Sequence, residues 1–279
     1  MARRVGPSVR SRRLAITLRK LRKNTGMTGA DVAKALDISG SKISRVETSE
    51  SGIYLDDIEK LLDFYNVTRA LRAELLDLAR HAEERGLTRM NNAHLPEEWQ
   101  AWLDFEDEAS RILNYEPFMI PGLLQTPEYS RAIIKATGHG MSNAEVDALV
   151  TSRMARQGLL SRTKPLILDV ILEESVLERM FGDPAAQRRQ IRHLADMAEL
   201  PNITVRVAPT SAGLHSGLNG PFVILEYDEE ASLVLLENKI ANIFLDEEEQ
   251  IQVFEATWAD LRQLAYSPDE TVEYLRSKT

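Results

Sequence analysis

The chain has 279 residues, a formal net charge of −9 and no cysteine. The absence of cysteine excludes disulfides, thiolate zinc sites and a cysteine nucleophile, so we expect packing alone to hold the fold. The sequence has no apolar run near the roughly twenty residues of a membrane span, and no apolar signal core follows its basic start. We therefore expect a cytoplasmic protein without a membrane partner.

Charge is divided unevenly along the chain. The first 50 residues hold 12 Lys and Arg against 4 Asp and Glu, a balance of +8, whereas the remaining 229 hold 22 against 39, a balance of −17. A cationic segment favours a polyanion such as nucleic acid, and an acidic segment favours cationic partners. The two parts are therefore predicted to bind different partners.

Residues 1–11 are predicted to form a flexible basic arm that carries Arg3, Arg4 and Arg10. Such an arm can follow a DNA backbone or enter a minor groove. The same composition also fits a disordered solubilising tail, and the sequence does not choose between them.

A first helix is predicted over residues 12–24, because Leu14, Leu18 and Leu21 recur at helical spacing and can face a core. Its cations are expected around the outside of this helix. They are Arg13, Arg19, Lys20, Arg22 and Lys23.

Two short helices joined by a tight turn are predicted between Met27 and Glu47. Thr28 is a side-chain cap for the first helix, and Ser39 is a cap for the second. One face of each helix is apolar, and these faces are expected to share a core. The apolar positions are Val32, Ala33, Leu36, Ile43 and Val46.

The outer face of the second helix carries small, hydroxyl and cationic residues and no bulky apolar side chain, which suits a major groove. Gly40, Ser41, Lys42 and Arg45 are predicted to face bases, although the sequence does not assign each side chain to a base. A helical hairpin with an accidental basic face is the alternative interpretation. Phosphates are predicted to be held, together with the basic arm, by Thr28, Ser39 and Ser44.

Eleven positions of this stretch fit one fixed register: Thr28, Val32, Ala33, Leu36, Ile38, Ser39, Ser41, Ile43, Ser44, Arg45 and Glu47. In this register the stretch resembles the helix-turn-helix of phage-repressor-like (Xre-type) transcriptional regulators, which implies double-stranded DNA as a partner. Gly29 departs from the family, which often has a phosphate-clamping glutamine there, and Asp37 replaces the usual turn glycine. Aspartate tolerates the left-handed conformation, so the turn is still expected. The resemblance also implies that Glu47 pairs with Arg19 or Arg22.

Two further helices are predicted over residues 55–65 and 69–84. With these helices, residues 12–85 would form a five-helix DNA-binding domain. Residues 86–96, which include a proline and two asparagines, are the predicted linker. Residues 97–279 would then form a C-terminal sensor or partner-binding domain.

The C-terminal part is predicted to begin with a helix over residues 97–114, whose aromatic stripe is more typical of a core than of a ligand cage. Prolines interrupt the apolar stretch that follows. The phrase from Ile120 to Arg131, after Trp99 and Glu108, resembles the uncharacterised C-terminal domain of many actinobacterial Xre-type regulators. That resemblance covers roughly residues 95–275. Some of these regulators are antitoxin-like, and many are encoded beside a small partner protein.

The proline-rich phrase is a candidate ligand or partner site, although plain packing would explain it equally. Its candidate residues are Pro121, Gly122, Leu123, Leu124, Gln125, Thr126 and Tyr129.

Beyond this phrase the apolar pattern includes strands as well as helices, which predicts a small sheet covered by helices. The fold class is therefore predicted to be mainly α with an α+β C-terminal part. Strands are predicted over 165–172, 202–208, 220–227 and 232–237, and helices over 126–137, 143–160, 184–199, 246–264 and 268–278.

The acids and histidines of the C-terminal part form no local catalytic signature. Glu173 and Glu174 follow an apolar strand and either offer a carboxylate to a pocket or simply start the next helix. If Glu173 and His215 lay within hydrogen-bond reach in a closed polar pocket, an enzyme would be favoured, whereas a wide separation would exclude it. The histidines lack metal-ligand spacing, and no phosphate-binding glycine loop occurs. We predict no enzyme activity, no metal and no cofactor.

The sequence therefore predicts a sequence-specific DNA-binding transcriptional regulator, a homodimer whose acidic C-terminal domain binds a ligand or a small partner protein. The alternative is an antitoxin-like protein whose main role is to bind a small basic partner, with DNA binding for autoregulation. A third hypothesis is an enzyme tethered to DNA. The operator, the effector and the sign of regulation stay open.

Overall fold

A computed structural model of the chain describes residues 8–49, 54–82, 87–90, 100–228, 230–239 and 241–279. The chain forms two units. The first comprises residues 1–108 and 240–247, and the second comprises residues 109–239 and 248–279. The division thus falls after the predicted linker, and a late segment of the chain belongs to the first unit.

The described helices, in chain order, are α1 (Val9–Asn24), α2 (Gly29–Ala35), α3 (Gly40–Glu47), α4 (Leu55–Phe64), α5 (Arg69–Arg80), α6 (Gln100–Glu108), α7 (Pro127–Thr137), α8 (Asn143–Arg156), α9 (Glu174–Glu178), α10 (Pro184–Ala198), α11 (Glu248–Leu264) and α12 (Pro268–Ser277). The described strands are β1 (Leu87–Met90), β2 (Arg111–Glu116), β3 (Ile167–Glu173), β4 (Ile203–Ala208), β5 (Phe222–Glu226), β6 (Leu233–Glu237) and β7 (Ala241–Leu245). None of the described helices combines the length and the apolar composition that a bilayer span requires. The predicted fold class, mainly α with an α+β C-terminal part, is confirmed.

The first unit is built on helices α1 to α5, each of which was predicted. Hydroxyl caps begin three of them, because the Ser8, Thr28 and Thr68 side chains each accept a bond from the backbone N–H three residues further on. The apolar faces of the helices meet in one core, where each buried leucine or isoleucine loses its contact with water. Fully buried members of this core are Leu14, Val32, Ile58, Leu62 and Leu75.

Helix α1 begins earlier than predicted. Ser8 is its N-cap and accepts a bond from the Ser11 N–H at 3.1 Å, while the Val9 N–H donates to Asp246 at 2.6 Å. The predicted arm is therefore wrong for residues 8–11, because Ser8 caps the helix and residues 9–11 are helical. Residues 1–7 lie outside the described part. The early start was missed because the capping serine stands next to a glycine–proline pair that suggested a loop.

Part of the predicted linker is a strand. β1 pairs antiparallel with β7, with Leu87 opposite Phe244 and Met90 opposite Ala241. The linker prediction is therefore wrong for residues 87–90, and residues 91–96 lie outside the described part. Both strands were missed because each is short and its partner lies about 150 residues away, a pairing that no local pattern reveals.

The predicted helix over 97–114 is two elements. Helix α6 ends at Glu108, and the chain continues as β2, in which Tyr115 is fully buried. Residues 97–99 lie outside the described part. β2 pairs with β3 along one edge and with β5 along the other. Its adjacent residues Ile112 and Leu113 point to opposite faces and are both buried, so its apolar residues form a short run instead of an alternation. Such a run looks like the end of a helix when only the sequence is read.

The second unit contains a five-stranded sheet in the order β6-β5-β2-β3-β4. β2, β3 and β4 are parallel, and β5 and β6 run antiparallel to their neighbours. The parallel pairs require crossovers, which α7 and α8 supply between β2 and β3, and α9 and α10 supply between β3 and β4. The four strands and five helices predicted beyond residue 126 are confirmed, with small shifts of their ends. Predicted helix 143–160 ends in a 3₁₀ turn at Gln157–Leu160.

Candidate nucleic-acid interface

The turn between α2 and α3 has the geometry that the sequence predicted. Asp37 adopts the left-handed conformation with φ of 54°, and the Ile38 N–H donates to the Ala33 carbonyl at 3.0 Å. Ala33 and Ile43 are buried, so each helix turns its apolar face inward. A short polar side chain makes the left-handed residue tolerable where glycine is usual.

The opposite face of α3 is open to solvent. Ser41, Ser44 and Arg45 are exposed, and the space around the Gly40 Cα is empty. The Arg45 Nε donates to the Ser41 carbonyl on the same helix at 3.3 Å, a contact that a ligand can replace at small cost. The Ser39 and Ser41 hydroxyls lie 3.0 Å apart and also face solvent.

Lys42 is placed differently from its neighbours. Its Nζ lies 2.8 Å from Asp57 Oδ2 and 3.2 Å from Oδ1, and 5.7 Å from the centre of the Tyr54 ring. The Asp57 side chain is buried, whereas 39% of the Lys42 side chain is exposed. The ammonium is thus turned toward the start of α4, and it must leave Asp57 before it can reach a base.

Thr28 is held in a capping box. Its hydroxyl donates to Asp31 Oδ2 at 2.6 Å, and the Asp31 N–H donates to the same hydroxyl at 3.2 Å. The bonds that the Thr28 hydroxyl and the Thr28 backbone N–H donate to the carboxylate lower the pKa of Asp31, so a carboxylate lies at the N-terminus of α2 where a phosphate was predicted. Gly29, in the first turn, packs toward Ile43, and a Cβ added there would lie 3.5 Å from Ile43 Cγ2.

Four cations of α1, namely Arg13, Arg19, Lys20 and Arg22, contact acids of the same unit. Arg13 is 1% exposed and forms an ion pair with Asp104 of α6, which also contacts Lys20 at 3.1 Å. The prediction that Arg13 lies on the outside of α1 is therefore wrong. On a helical wheel Arg13 falls on the outward face of α1, but α6 covers that face. The signal available in the sequence was the acidic composition of residues 104–108.

Glu47 pairs with the first helix, as the resemblance implied. Arg22 Nε and a terminal guanidinium nitrogen lie 2.6 and 2.7 Å from the two Glu47 oxygens. This bidentate bond raises the pKa of Arg22. Arg19 donates to the Glu47 backbone carbonyl and lies 3.1 Å from Glu108. The prediction of a structural Glu47 is confirmed, with Arg22 as its main partner.

In the second unit, the phrase predicted as a ligand or partner site is largely buried. Gln125 is 1% exposed; its amide donates to the Ile120 carbonyl at 2.6 Å and its oxygen accepts from Arg153 at 2.8 Å. The Thr126 N–H donates to the Gln190 side chain at 2.7 Å, and the Tyr129 hydroxyl accepts from the Ile120 N–H at 3.2 Å. Leu123 and Leu124 are buried, as is Pro121, and Gly122 begins a 3₁₀ turn.

Glu173 and His215, which sequence reasoning considered for catalysis, lie side by side. His215 Nε2 is 3.2 Å from Glu173 Oε1, and the Tyr115 hydroxyl donates to the same oxygen at 2.8 Å. Glu173 is the N-cap residue of α9 and Glu174 its first residue, so the interpretation that the acids start a helix is confirmed. Tyr115, which the sequence analysis did not single out, completes this cluster.

Comparison with known proteins agrees with the two-part organisation. Residues 13–75 match the model of a helix-turn-helix domain (HTH_31), which identifies this segment as a helix-turn-helix and supports DNA as a partner. Residues 99–277, more than half of the chain, match the model described as a domain of unknown function (DUF5753), and the chain belongs to that family. The assignment to the Xre-type branch stays a prediction.

No curated protein matches the sequence. A solved structure of TrmBL2, an archaeal chromatin protein, is similar over 76% of this chain and 67% of that chain, with 12% sequence identity and a TM-score of 0.33. This similarity is too low to carry an argument about either unit.

Proposed function

We propose that the chain is a sequence-specific transcriptional regulator that reads a major groove with α3. The observation that carries this proposal is the open outer face of α3, where Gly40, Ser41, Ser44 and Arg45 lie exposed on a rigid two-helix scaffold. Arg45 has no acidic partner among the described residues. A guanidinium in this position suits a bidentate contact to guanine.

The N-terminus of α3 supports a phosphate contact. Ser39 is its N-cap residue but makes no capping bond with its side chain. Its hydroxyl contacts the exposed Ser41 hydroxyl at 3.0 Å, and this pair of hydroxyls can turn to a phosphate. The first amides of a helix are donors without intrahelical partners, and its dipole favours an anion there. Ser39 and Ser44 are thus proposed to hold phosphates. The carboxylate at Asp31 makes Thr28 the weaker candidate, since like charge opposes a phosphate.

We further propose that the functional protein is a cytoplasmic homodimer that reads an inverted repeat, with half-sites about one helical turn of DNA apart. Two copies of α3 would then enter successive major grooves on one side of the duplex. Protection of two half-sites in a footprint, together with a dimer in analytical ultracentrifugation, supports this arrangement. A single protected half-site bound by a monomer contradicts it.

Replacement of Arg45 tests the recognition surface. We expect Arg45→Ala to weaken operator binding by about 1–3 kcal/mol and to relax the preference at one base pair. Affinity and sequence preference are measured by gel shift and by selection from a randomised duplex pool. Arg80→Ala removes an exposed arginine of α5 in the same unit and serves as the matched control.

The two variants separate recognition from general charge. If Arg45→Ala and Arg80→Ala change affinity equally and leave the base preference intact, α3 does not read the duplex. A normal unfolding temperature of Arg45→Ala shows that the scaffold is intact, because the side chain is exposed and its only described bond is within α3.

A second function is favoured by the charge of the rest of the chain. The second unit holds 23 Asp and Glu against 16 Lys and Arg, a surplus of 7 negative charges within the surplus of 17 carried by residues 51–279, which suits a small basic partner protein. We propose that the second unit binds either a ligand or such a partner and thereby controls DNA binding. If the product of the neighbouring gene fails to bind the purified chain at low salt, the antitoxin-like function is excluded.

We propose no catalytic role for the cluster at Glu173. The Oε1 atom of Glu173 already accepts a hydrogen bond from the Tyr115 hydroxyl and contacts His215. Neither Glu173 nor His215 lines the cleft that lies between Arg111 and Trp258. Burial raises the pKa of Tyr115 far above its usual value, so its hydroxyl stays a donor. The cluster is better suited to fasten the loop of His215 to the end of β3.

A further inference from the structure

A cleft on one face of the second unit's sheet has a volume of about 150 Å³. Its floor is set by strand register: Asp169 of β3 lies opposite Thr204 of β4, and Arg206 lies two residues further along β4 on the same face. Trp258 and Arg262, one turn apart on α11, form the opposite wall. The polar floor and the wall that carries Trp258 thus lie on opposite sides of a space whose volume exceeds that of a few water molecules.

Three arginines border this cleft, and one of them is already neutralised. Arg111 Nε lies 2.7 Å from Asp169 Oδ2, and its terminal nitrogen lies 3.6 Å from Glu226. Hydrogen bonding to Asp169 raises the pKa of Arg111, as expected for a satisfied ion pair. Arg111 and its two acids therefore contribute a net charge of −1 to the rim.

The other two arginines are less well compensated. Arg206 donates to the Tyr266 carbonyl at 3.2 Å, and Arg262 has neither a hydrogen bond nor an ion pair among the described residues. Burial lowers the pKa of Arg206, and the charge of Arg262 lowers it further, while Asp169 acts in the opposite direction. Two arginines therefore line the cleft beside Trp258, close enough for their charges to interact. With Arg111, Asp169 and Glu226 included, one positive charge is left over.

We propose that this cleft binds a small organic carboxylate, with the carboxylate between Arg206 and Arg262 and an apolar body against Trp258. A monoanion matches the single surplus charge, and a guanidinium offers a carboxylate two parallel N–H donors. A cavity of about 150 Å³ is known to hold a benzene-sized molecule, which limits the ligand to roughly the size of benzoate. Thr204 supplies a hydroxyl at the floor for a polar substituent.

The regulatory meaning of this site rests on the proposed function: the carboxylate would be the effector that the second unit senses. An occupied cleft removes the repulsion between Arg206 and Arg262 and links β4 to α11 through the ligand. Ligand that binds only the folded state also stabilises that state by mass action. The site itself, however, is testable without DNA.

The test is a titration of the full chain with benzoate, followed by calorimetry and by tryptophan fluorescence. We expect saturable binding that shifts the emission of Trp258, and loss of that shift in Trp258→Phe. Arg262→Gln is expected to weaken binding about tenfold or more, the factor associated with one lost charge-assisted contact. Arg131→Gln, an exposed arginine of α7 paired with Asp147, is the matched control.

Two further ligands define the chemistry. Benzyl alcohol, which has the same ring without the charge, is expected to bind at least about tenfold more weakly than benzoate. Inorganic phosphate is expected to bind more weakly as well, because it cannot contact the aromatic wall. The proposal is overturned by absence of saturable benzoate binding, by equal binding of benzyl alcohol or phosphate, or by an unchanged affinity in Arg262→Gln.

Operator binding measured on the same preparations separates the two proposals. If duplex binding is specific and benzoate does not bind, the cleft assignment fails and the regulator proposal stands. If benzoate binds with the expected dependence on Arg262 and no duplex is recognised, the regulator proposal fails and the carboxylate site stands.

Discussion

Helices α1 and α3 belong to the same unit and both carry arginine and lysine, but the charges lie in opposite environments. On α1, Arg13 and Arg22 each contact an acid contributed by another helix. On α3, Arg45 faces solvent, and its one hydrogen bond within the described part of the chain is to its own helix. Cations that are paired with internal acids hold the unit together and have little potential left for a polyanion. Under the proposed function, the surface that binds DNA is therefore indicated by cations without an acidic partner, not by the number of cations in a segment.

The largest effect that would test this comparison is expected from Arg13. Arg13→Ala leaves the Asp104 carboxylate, which is 5% exposed in its side chain, with Lys20 as its remaining ion-pair partner among the described residues. We expect the free energy of unfolding to fall by about 3 kcal/mol, the cost of breaking a buried pair. Urea unfolding measures this loss, and gel shift of the folded fraction is expected to give unchanged DNA affinity.

Lys23→Ala is the control on the same helix, because Lys23 is exposed near the end of α1. We expect its unfolding free energy to stay within about 0.5 kcal/mol of the original. If DNA affinity falls more in Arg13→Ala than in Arg45→Ala, the proposal that α3 binds DNA while the paired cations of α1 stabilise the unit is contradicted.

A partly buried acid in the second unit, Glu116 of β2, extends the comparison to groups of the opposite sign. Burial, with a smaller contribution from Glu237, raises the pKa of Glu116 to about 8. Between its ordinary pKa near 4.5 and this value, the folded state holds a proton that the unfolded state has released. Stability is therefore expected to fall as pH rises through this window. Glu116→Gln is expected to flatten the slope and to gain at least about 1 kcal/mol at pH 8.

The measurement is urea unfolding at several pH values between 5 and 8.5, on the original chain and on Glu116→Gln. The variant Glu128→Gln alters an exposed acid of α7 and serves as a control, since it should leave the slope unchanged. Identical slopes in the original chain and Glu116→Gln would contradict an elevated pKa for Glu116.

The smallest expected effect concerns Lys42. It is paired with an acid, as the cations of α1 are, but it belongs to α3, as Arg45 does. Asp57→Asn removes the charge that turns the Lys42 ammonium toward α4. We expect stability to fall by less than about 1 kcal/mol, because the lysine is partly exposed. The freed ammonium is expected to add one phosphate contact, so the slope of log affinity against log salt should steepen by about 0.9.

Asp56→Asn provides the matched control for that variant, because Asp56 is the preceding residue of the same helical turn and is exposed. Equal slopes in Asp57→Asn and Asp56→Asn would mean that Lys42 stays away from the duplex. In that case Lys42 belongs with the structural cations of α1.

Local features of the first unit were predictable from the sequence. Thr28 and Thr68 mark helix starts, and Val32, Ile43 and Val46 recur at the spacing of a buried helix face. These signals act over three or four residues, so a short window of sequence contains the interactions that decide where a helix begins and which of its faces is apolar. The helix-turn-helix and its exposed face follow from such windows.

Features that depend on distant segments were not predictable in this way. Arg13 is inside because α6 covers it, and β1 is a strand because β7 pairs with it. The cleft is similar, since Arg206 on β4 and Arg262 on α11 meet only through the packing of a helix on a sheet. Periodicity describes which face of an element is buried, but it does not say which element will cover that face.

The position of β7 has a consequence for how the protein is made. The first unit needs residues 240–247, which supply the partner strand of β1 and the acceptor for the Val9 N–H. During synthesis on the ribosome, the first unit is therefore completed only after residues 240–247 have been made. A gene fragment that stops soon after α5 would yield a product lacking both α6 and β7, so reporter fusions should carry the whole reading frame.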